Sequence, residues 1–200
     1  MARTLETSTV GQPTIEIVSL FPRQGKWTEE DYFKLPETNR IIELSEGRLI
    51  ITPSPTEQHQ RISLNLSLLI ATYVKLYKLG EIRYSPLDVR LYEGLIREPD
   101  IVFMSNEHKD RIAETYWGVP DLVMEIISEN TVKEDRLTKF FEYLKAGISE
   151  YWIVDPFRQS IEVFALENGT YVTFGKWGVG ETAKSKLLDG FDVSVDEIME

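Results

Sequence analysis

The chain has 200 residues, 42% of them hydrophobic, and a formal net charge of −11. That length and apolar content suit one domain with a full core; the acidity argues against tight, non-specific nucleic-acid binding but leaves room for a local basic groove. Cysteine is absent, which excludes disulfides, thiolate zinc sites and cysteine nucleophiles.

Residues 1–25 read as an N-terminal arm, punctuated by Pro13, Pro22 and Gly25, with a short edge strand expected at Ile15 to Val18. Met1 to Gln12 has no apolar leader and the chain has no apolar run of about 18 residues, so a cytoplasmic protein with no membrane span is expected. Residues 26–200 are expected to form a single domain. Thr28 followed by Glu29, Glu30 and Asp31 starts a helix that Pro36 stops. Arg40 to Leu44 and Arg48 to Thr52 flank Ser45-Glu46-Gly47 and predict a hairpin, which puts Glu43 in a strand. From Glu57 to Leu79 the apolar residues Ile62, Leu66, Leu69, Ile70, Tyr73, Leu76 and Tyr77 recur at helical spacing, and Gly80 is the expected stop. His59 falls in the first turn of that helix, where capping or packing is the commoner role.

Glu81 to Leu91 reads as a strand interrupted by Pro86, and Arg97 to Met104 as a second strand carrying Asp100. Ser105 to Trp117 is polar and loop-like, with His108 expected at the surface. Asp121 to Ser128 is an almost continuous apolar run, as in a buried central strand, and carries Glu125. Thr131-Val132-Lys133-Glu134 has the form of a capping box that opens a helix ending near Ala146 and Gly147. Thr131, Asp135, Lys139 and Tyr143 recur every four residues along one stripe of it. Glu150 to Asp155 predicts a strand, Ser160 to Ala165 and Thr170 to Phe174 a hairpin, Lys184 to Leu188 a last short strand, and Asp196 to Glu200 a tail.

Two acids inside strand-like apolar runs need an explanation, because a carboxylate is costly to bury unless something pairs with it. On adjacent strands, Asp100 and Glu125 would offer two hard oxygen ligands to a divalent cation, with the backbone carbonyl of Ile126 a third and waters completing the shell. Lys139 is the best-placed amine to support an attacking water or neutralise developing charge. The residues alone leave a second account equally open, in which Glu125 pairs with Arg97 or Lys139 and no metal binds.

In combination, Glu98-Pro99-Asp100, Met124-Glu125-Ile126-Ile127-Ser128, Thr131…Asp135…Lys139…Tyr143…Gly147 and Glu150-Tyr151-Trp152-Ile153-Val154-Asp155-Pro156 resemble the Uma2 family. Ile42-Glu43-Leu44 with Gly47, Pro53-Ser54-Pro55-Thr56 with His59, and Ser85-Pro86-Leu87-Asp88-Val89 extend the resemblance from about Trp27 to Asp189. That family, once the domain of unknown function DUF820 and common in cyanobacteria, is grouped with the restriction-endonuclease-like PD-(D/E)xK superfamily. The resemblance implies an α/β fold with a mixed central β-sheet flanked by α-helices, here with an extra N-terminal helix and β-hairpin. It also implies Mg²⁺ or Mn²⁺ held by Asp100 and Glu125. In the wider superfamily a lysine stands two residues after the second acid; here that position is Ile127, so either the amine comes from the helix as Lys139 or catalysis is weakened or lost. Glu43 and His59 take supporting or substrate-positioning roles, Asp135 orients Lys139, and Tyr143 contacts the nucleic-acid backbone or packs.

The expected function is a Mg²⁺-dependent endonuclease that hydrolyses DNA phosphodiester bonds with a metal-activated water and acts as a homodimer or higher homo-oligomer in the cytoplasm. The alternative is a catalytically degenerate nuclease fold that serves as a binding or oligomeric regulatory module.

Overall fold

The computed structural model describes residues 21–36, 38, 40–129 and 131–200. The strand expected at Ile15 to Val18 and most of the arm lie outside them. The described chain runs α1 (Glu29–Tyr32), β1 (Ile41–Ser45), β2 (Arg48–Thr52), α2 (Glu57–Tyr77), β3 (Gly80–Tyr84), β4 (Val89–Tyr92), β5 (Leu95–Arg97) and β6 (Ile101–Ser105). A 3-10 turn (Asn106–Arg111) leads to β7 (Leu122–Ile126), and a π-helical turn (Glu134–Lys139) continues into α3 (Phe140–Ala146). Then follow β8 (Glu150–Asp155), β9 (Ser160–Glu167), β10 (Thr170–Trp177), β11 (Thr182–Lys184), β12 (Asp192–Ser194) and α4 (Val195–Met199). No described helix is long and apolar enough to cross a membrane.

A six-stranded sheet in the order β10-β9-β8-β7-β6-β3 forms the centre, and a four-stranded sheet β2-β1-β5-β4 lies beside it. The large sheet is mixed: β7 and β8 are parallel and its other pairs antiparallel. A parallel pair needs a crossover, and the helical stretch ending in α3 supplies it. Side chains alternate across the sheet. Leu122, Met124 and Ile126 join Trp152 and Val154 in a core with Ile62, Leu66 and Ile70 of α2. Val123 and Ile127 join Tyr151 and Ile153 in a second core with Tyr143 of α3. Glu125 shares the face of Val123 and Ile127, so it is directed towards α3.

Proline explains where the chain departs from the expected strands. Glu81 to Leu91 and Arg97 to Met104 are each cut in two, at Pro86 and Pro99, and the halves join different sheets. Lacking an N–H, proline cannot donate to a ladder, so each strand ends there and the chain passes from one sheet to the other. The hairpin β1–β2 is accordingly half of the small sheet, because β1 also pairs with β5. The first helix is short, and its box is complete: Thr28 accepts from the Asp31 N–H while Asp31 accepts from the Thr28 N–H.

Other differences have local causes. The α2 helix closes at Lys78, in a left-handed conformation, and Gly80 already belongs to β3. A Cβ at Gly80 would lie 2.0 Å from the Met104 carbonyl oxygen, so close strand packing, not helix termination, requires that glycine. Thr131 makes no capping box. Its hydroxyl accepts from the Ser128 N–H at 3.0 Å, and the Glu134 carboxylate is turned to Arg97. His108 is not simply solvated, since its Nδ1 lies 2.6 Å from Asp121 Oδ1. The C-terminal residues form α4 instead of a tail. Val195 and Ile198 are buried in the α2 core, and Arg61 donates to the Met199 carbonyl.

Glu150 ties this C-terminal region to the central sheet. Fully buried, its carboxylate accepts from Trp152 Nε1 (2.6 Å), Ser185 Oγ (2.6 Å) and the N–H groups of Lys186 (2.7 Å) and Leu187 (2.8 Å). Glu150→Gln would aim an amide N–H₂ at one of these donor pairs. The expected loss is about 2–3 kcal/mol of stability, read from urea denaturation.

Candidate active site

Three elements meet where the chain crosses from the small sheet to the large one. Pro99 ends the reach of β5, and Asp100 stands immediately before β6. The β6–β7 register pairs Ile101 with Met124, which brings Asp100 beside Glu125. Asp100 Oδ2 accepts the Ile126 N–H at 2.8 Å and lies 3.2 Å from His59 Nε2. Glu125 Oε1 accepts from Lys139 Nζ at 2.9 Å and from the Tyr143 hydroxyl at 2.5 Å. Among the described residues, Asp100 Oδ1 and Glu125 Oε2 receive no hydrogen bond.

Lys139 and Asp135 come from the π-helical turn, where the chain takes a wider path than in an α-helix; such turns recur at functional sites. Lys139 Nζ is 3.2 Å from Asp135 Oδ1 and 3.8 Å from Glu43 Oε1, besides its bond to Glu125. Asp135 Oδ1 is buried and off-line for a hydrogen bond to that ammonium. Burial works against the Lys139 charge, but Glu125, Glu43 and Asp135 outweigh it and hold its pKa well above the ordinary lysine range. Burial pushes the Glu125 carboxyl up; Lys139 opposes this, and Asp135 and Asp100 add to it. Burial likewise raises the Tyr143 phenol, with Glu125 adding to it, so Tyr143 stays a neutral donor.

Every residue singled out for the site in the sequence is therefore in one place: Asp100, Glu125, Ile126, Lys139, Glu43, His59, Asp135 and Tyr143. Ile127 is there too, but only 1% exposed and packed in the α3-side core, so it offers nothing in place of a lysine. Arg97 does not pair with Glu125. Fully buried, it binds Glu43 (2.9 Å), Glu134 (2.8 Å) and Glu142 (2.7 Å). Glu43 Oε1 in turn accepts the Glu98 N–H at 3.0 Å, next to Pro99-Asp100. Sequence reasoning missed this hub and Glu98 itself; the signal was a charged pair, Arg97-Glu98, directly after the apolar Leu95-Ile96.

The donor set is oxygen-rich and short of positive charge. Glu125, Asp135 and Asp100 share one ammonium and one imidazole, and Asp100 and Glu125 each keep an oxygen that receives no hydrogen bond, as a hard cation requires. Among the described residues no three His, Asp or Glu side chains close into a ready-made cage, so backbone carbonyl and water would complete a coordination shell here. The cluster forms the floor of a cleft of about 670 Å³, lined also by Ile51, the Pro53–Pro55 stretch, Ser128 and Phe157.

The model of the Uma2 family, described as "Putative restriction endonuclease", matches residues 29–196. A crystal structure described as "a putative nuclease belonging to DUF820" from Anabaena variabilis ATCC 29413 has the same fold, with a TM-score of 0.72 and 21% identity. The similarity covers 86% of this chain and 97% of that one. Among curated proteins, none matches.

Proposed function

Because the chain belongs to the Uma2 family, we propose that it is an endonuclease that hydrolyses DNA phosphodiester bonds with Mg²⁺ or Mn²⁺ at Asp100 and Glu125. The reading is supported above all by Lys139, whose ammonium lies 2.9 Å from Glu125 in the floor that Asp100 shares. A divalent cation there supplies Lewis-acid stabilisation of phosphoryl charge and makes a water more acidic.

The chain's own residues do the rest. Asp100 and Glu125 would hold the ion, with the Ile126 carbonyl as a third protein ligand. Lys139 keeps its proton and would stabilise the negative charge that grows on the phosphate as water adds in line, losing its proton to solvent, and the ester oxygen departs and takes a proton from solvent. Tyr143 fixes the rotamer of Glu125 by its hydroxyl, and Asp135 steadies Lys139. His59 holds Asp100 through its shared oxygen, which leaves the other free for the ion.

Calorimetry with Mn²⁺ tests this. Asp100→Ala is expected to weaken Mn²⁺ binding roughly tenfold or more and to remove cleavage of a circular DNA at the same time. Full Mn²⁺ affinity and full cleavage in that variant would exclude Asp100 from the site. A second reading, a binding module that has lost the reaction, is favoured by one observation: the buried Ile127 at the usual lysine position. It predicts Mn²⁺ binding by the wild type with no cleavage of any DNA.

A further inference from the structure

Resting on the nuclease reading for its choice of ligand, the geometry points to a narrower substrate: an unpaired nucleotide, its base laid against Phe157 and its phosphate at Lys139. Seven carboxylates line the cleft, and Lys139 and His59 are its only bases among the described residues. Duplex DNA is gripped mainly by Lys and Arg along both phosphate strands. Nothing in this lining offers such a track, and the whole chain carries a net charge of −11.

The rim is different from the floor. Phe157, in the turn after β8, is 55% exposed, and Ile51 of β2 is 54% exposed. Both line the cleft, together with Pro53, Pro55 and Pro156, none of which carries charge. The base is the flat, uncharged part of a nucleotide, so it matches the apolar stretch of a rim that also carries the exposed Glu129, while the single phosphate matches the cation-seeking floor. The turn bearing Phe157 is fixed, since Asp155 Oδ1 accepts the N–H groups of Phe157 (3.1 Å) and Arg158 (3.0 Å). The ring thus projects from a fixed backbone, and aromatic stacking is how unpaired bases are held without sequence preference. Inside a duplex the base face is already stacked and cannot reach the ring.

Fluorescence anisotropy in Ca²⁺ with labelled oligo(dT), and with the same strand annealed to oligo(dA), is the test. The single strand is expected to bind about tenfold tighter than the duplex, with a salt slope of at most about 2 because few phosphates are neutralised by side chains. Phe157→Ala should weaken single-strand binding about tenfold and Phe157→Trp should restore it; the exposed site leaves folding intact. Equal or tighter duplex binding, binding of neither, or indifference to Phe157→Ala would overturn the inference. Tight single-strand binding without cleavage in Mn²⁺ would uphold it and overturn the nuclease reading. Equal binding and cleavage of single strand and duplex would do the reverse.

Discussion

Lys139→Met is expected to lower kcat by about 10²–10³ while Mn²⁺ binds as tightly as before or tighter. The size follows from removing one preorganised donor aimed at developing charge. The direction of the metal effect follows from geometry. Lys139 occupies Glu125 Oε1 at 2.9 Å and stands among Glu125, Asp135 and Glu43, so it competes with any second cation for the same charge. Methionine keeps much of the stem and deletes the competitor. Single-turnover cleavage and Mn²⁺ calorimetry on the same preparation separate the two effects. If Lys139 served only as a structural partner, the variant would lose stability with no change in the chemical step of any substrate. Loss of Mn²⁺ binding would mean that Lys139 supports the ion's ligands and does not compete with it.

Arg97→Met is expected to cost about 3–5 kcal/mol of stability, the usual result of leaving buried carboxylates without their counter-charge. The guanidinium is wholly buried and binds Glu43 of β1, Glu134 of the π-helical turn and Glu142 of α3. Burial opposes its charge, but Glu43 and Glu142 outweigh burial and raise its pKa above the ordinary arginine value. With a urea slope of about 2 kcal/mol per molar, the midpoint falls by roughly 2 M. Arg97→Lys rescues little, because an ammonium cannot span three carboxylates in fixed directions. Glu142→Gln is milder, since Arg97 then keeps two acids. A midpoint unchanged in Arg97→Met would mean that the three acids are neutral in the folded protein.

The acids and the amine of the candidate site were legible because each either breaks a pattern or forms one. Asp100 and Glu125 stand out in apolar strands, and Asp135, Lys139 and Tyr143 repeat every four residues. The central strands β7 and β8 were legible for the same reason, as runs buried on both faces. Other features carry no local mark. Arg97 is one charge in a charged segment, and only the folding of three distant acids around it reveals its role. The division of Glu81 to Leu91 and Arg97 to Met104 between two sheets depends on tertiary pairing, although Pro86 and Pro99 mark where it happens. The C-terminal helix was hidden by its length: five residues with Val195 and Ile198 inward are too few to show a period. Thr131 mimics a cap because its spacing to Glu134 is right, but Arg97 holds that carboxylate elsewhere.

The π-helical turn at Glu134–Lys139 amounts to one surplus residue in an otherwise regular coil. Because one revolution is closed there with one residue more than in an α-helix, the extra position is absorbed, and Lys139 and Tyr143 still face Glu125. Deleting one position within that turn would let it relax to ordinary winding with the same facing kept. Deleting one position after it, inside α3, would instead turn every later side chain by about 100° around the axis. Length changes are therefore tolerable on one side of Lys139 and disruptive on the other.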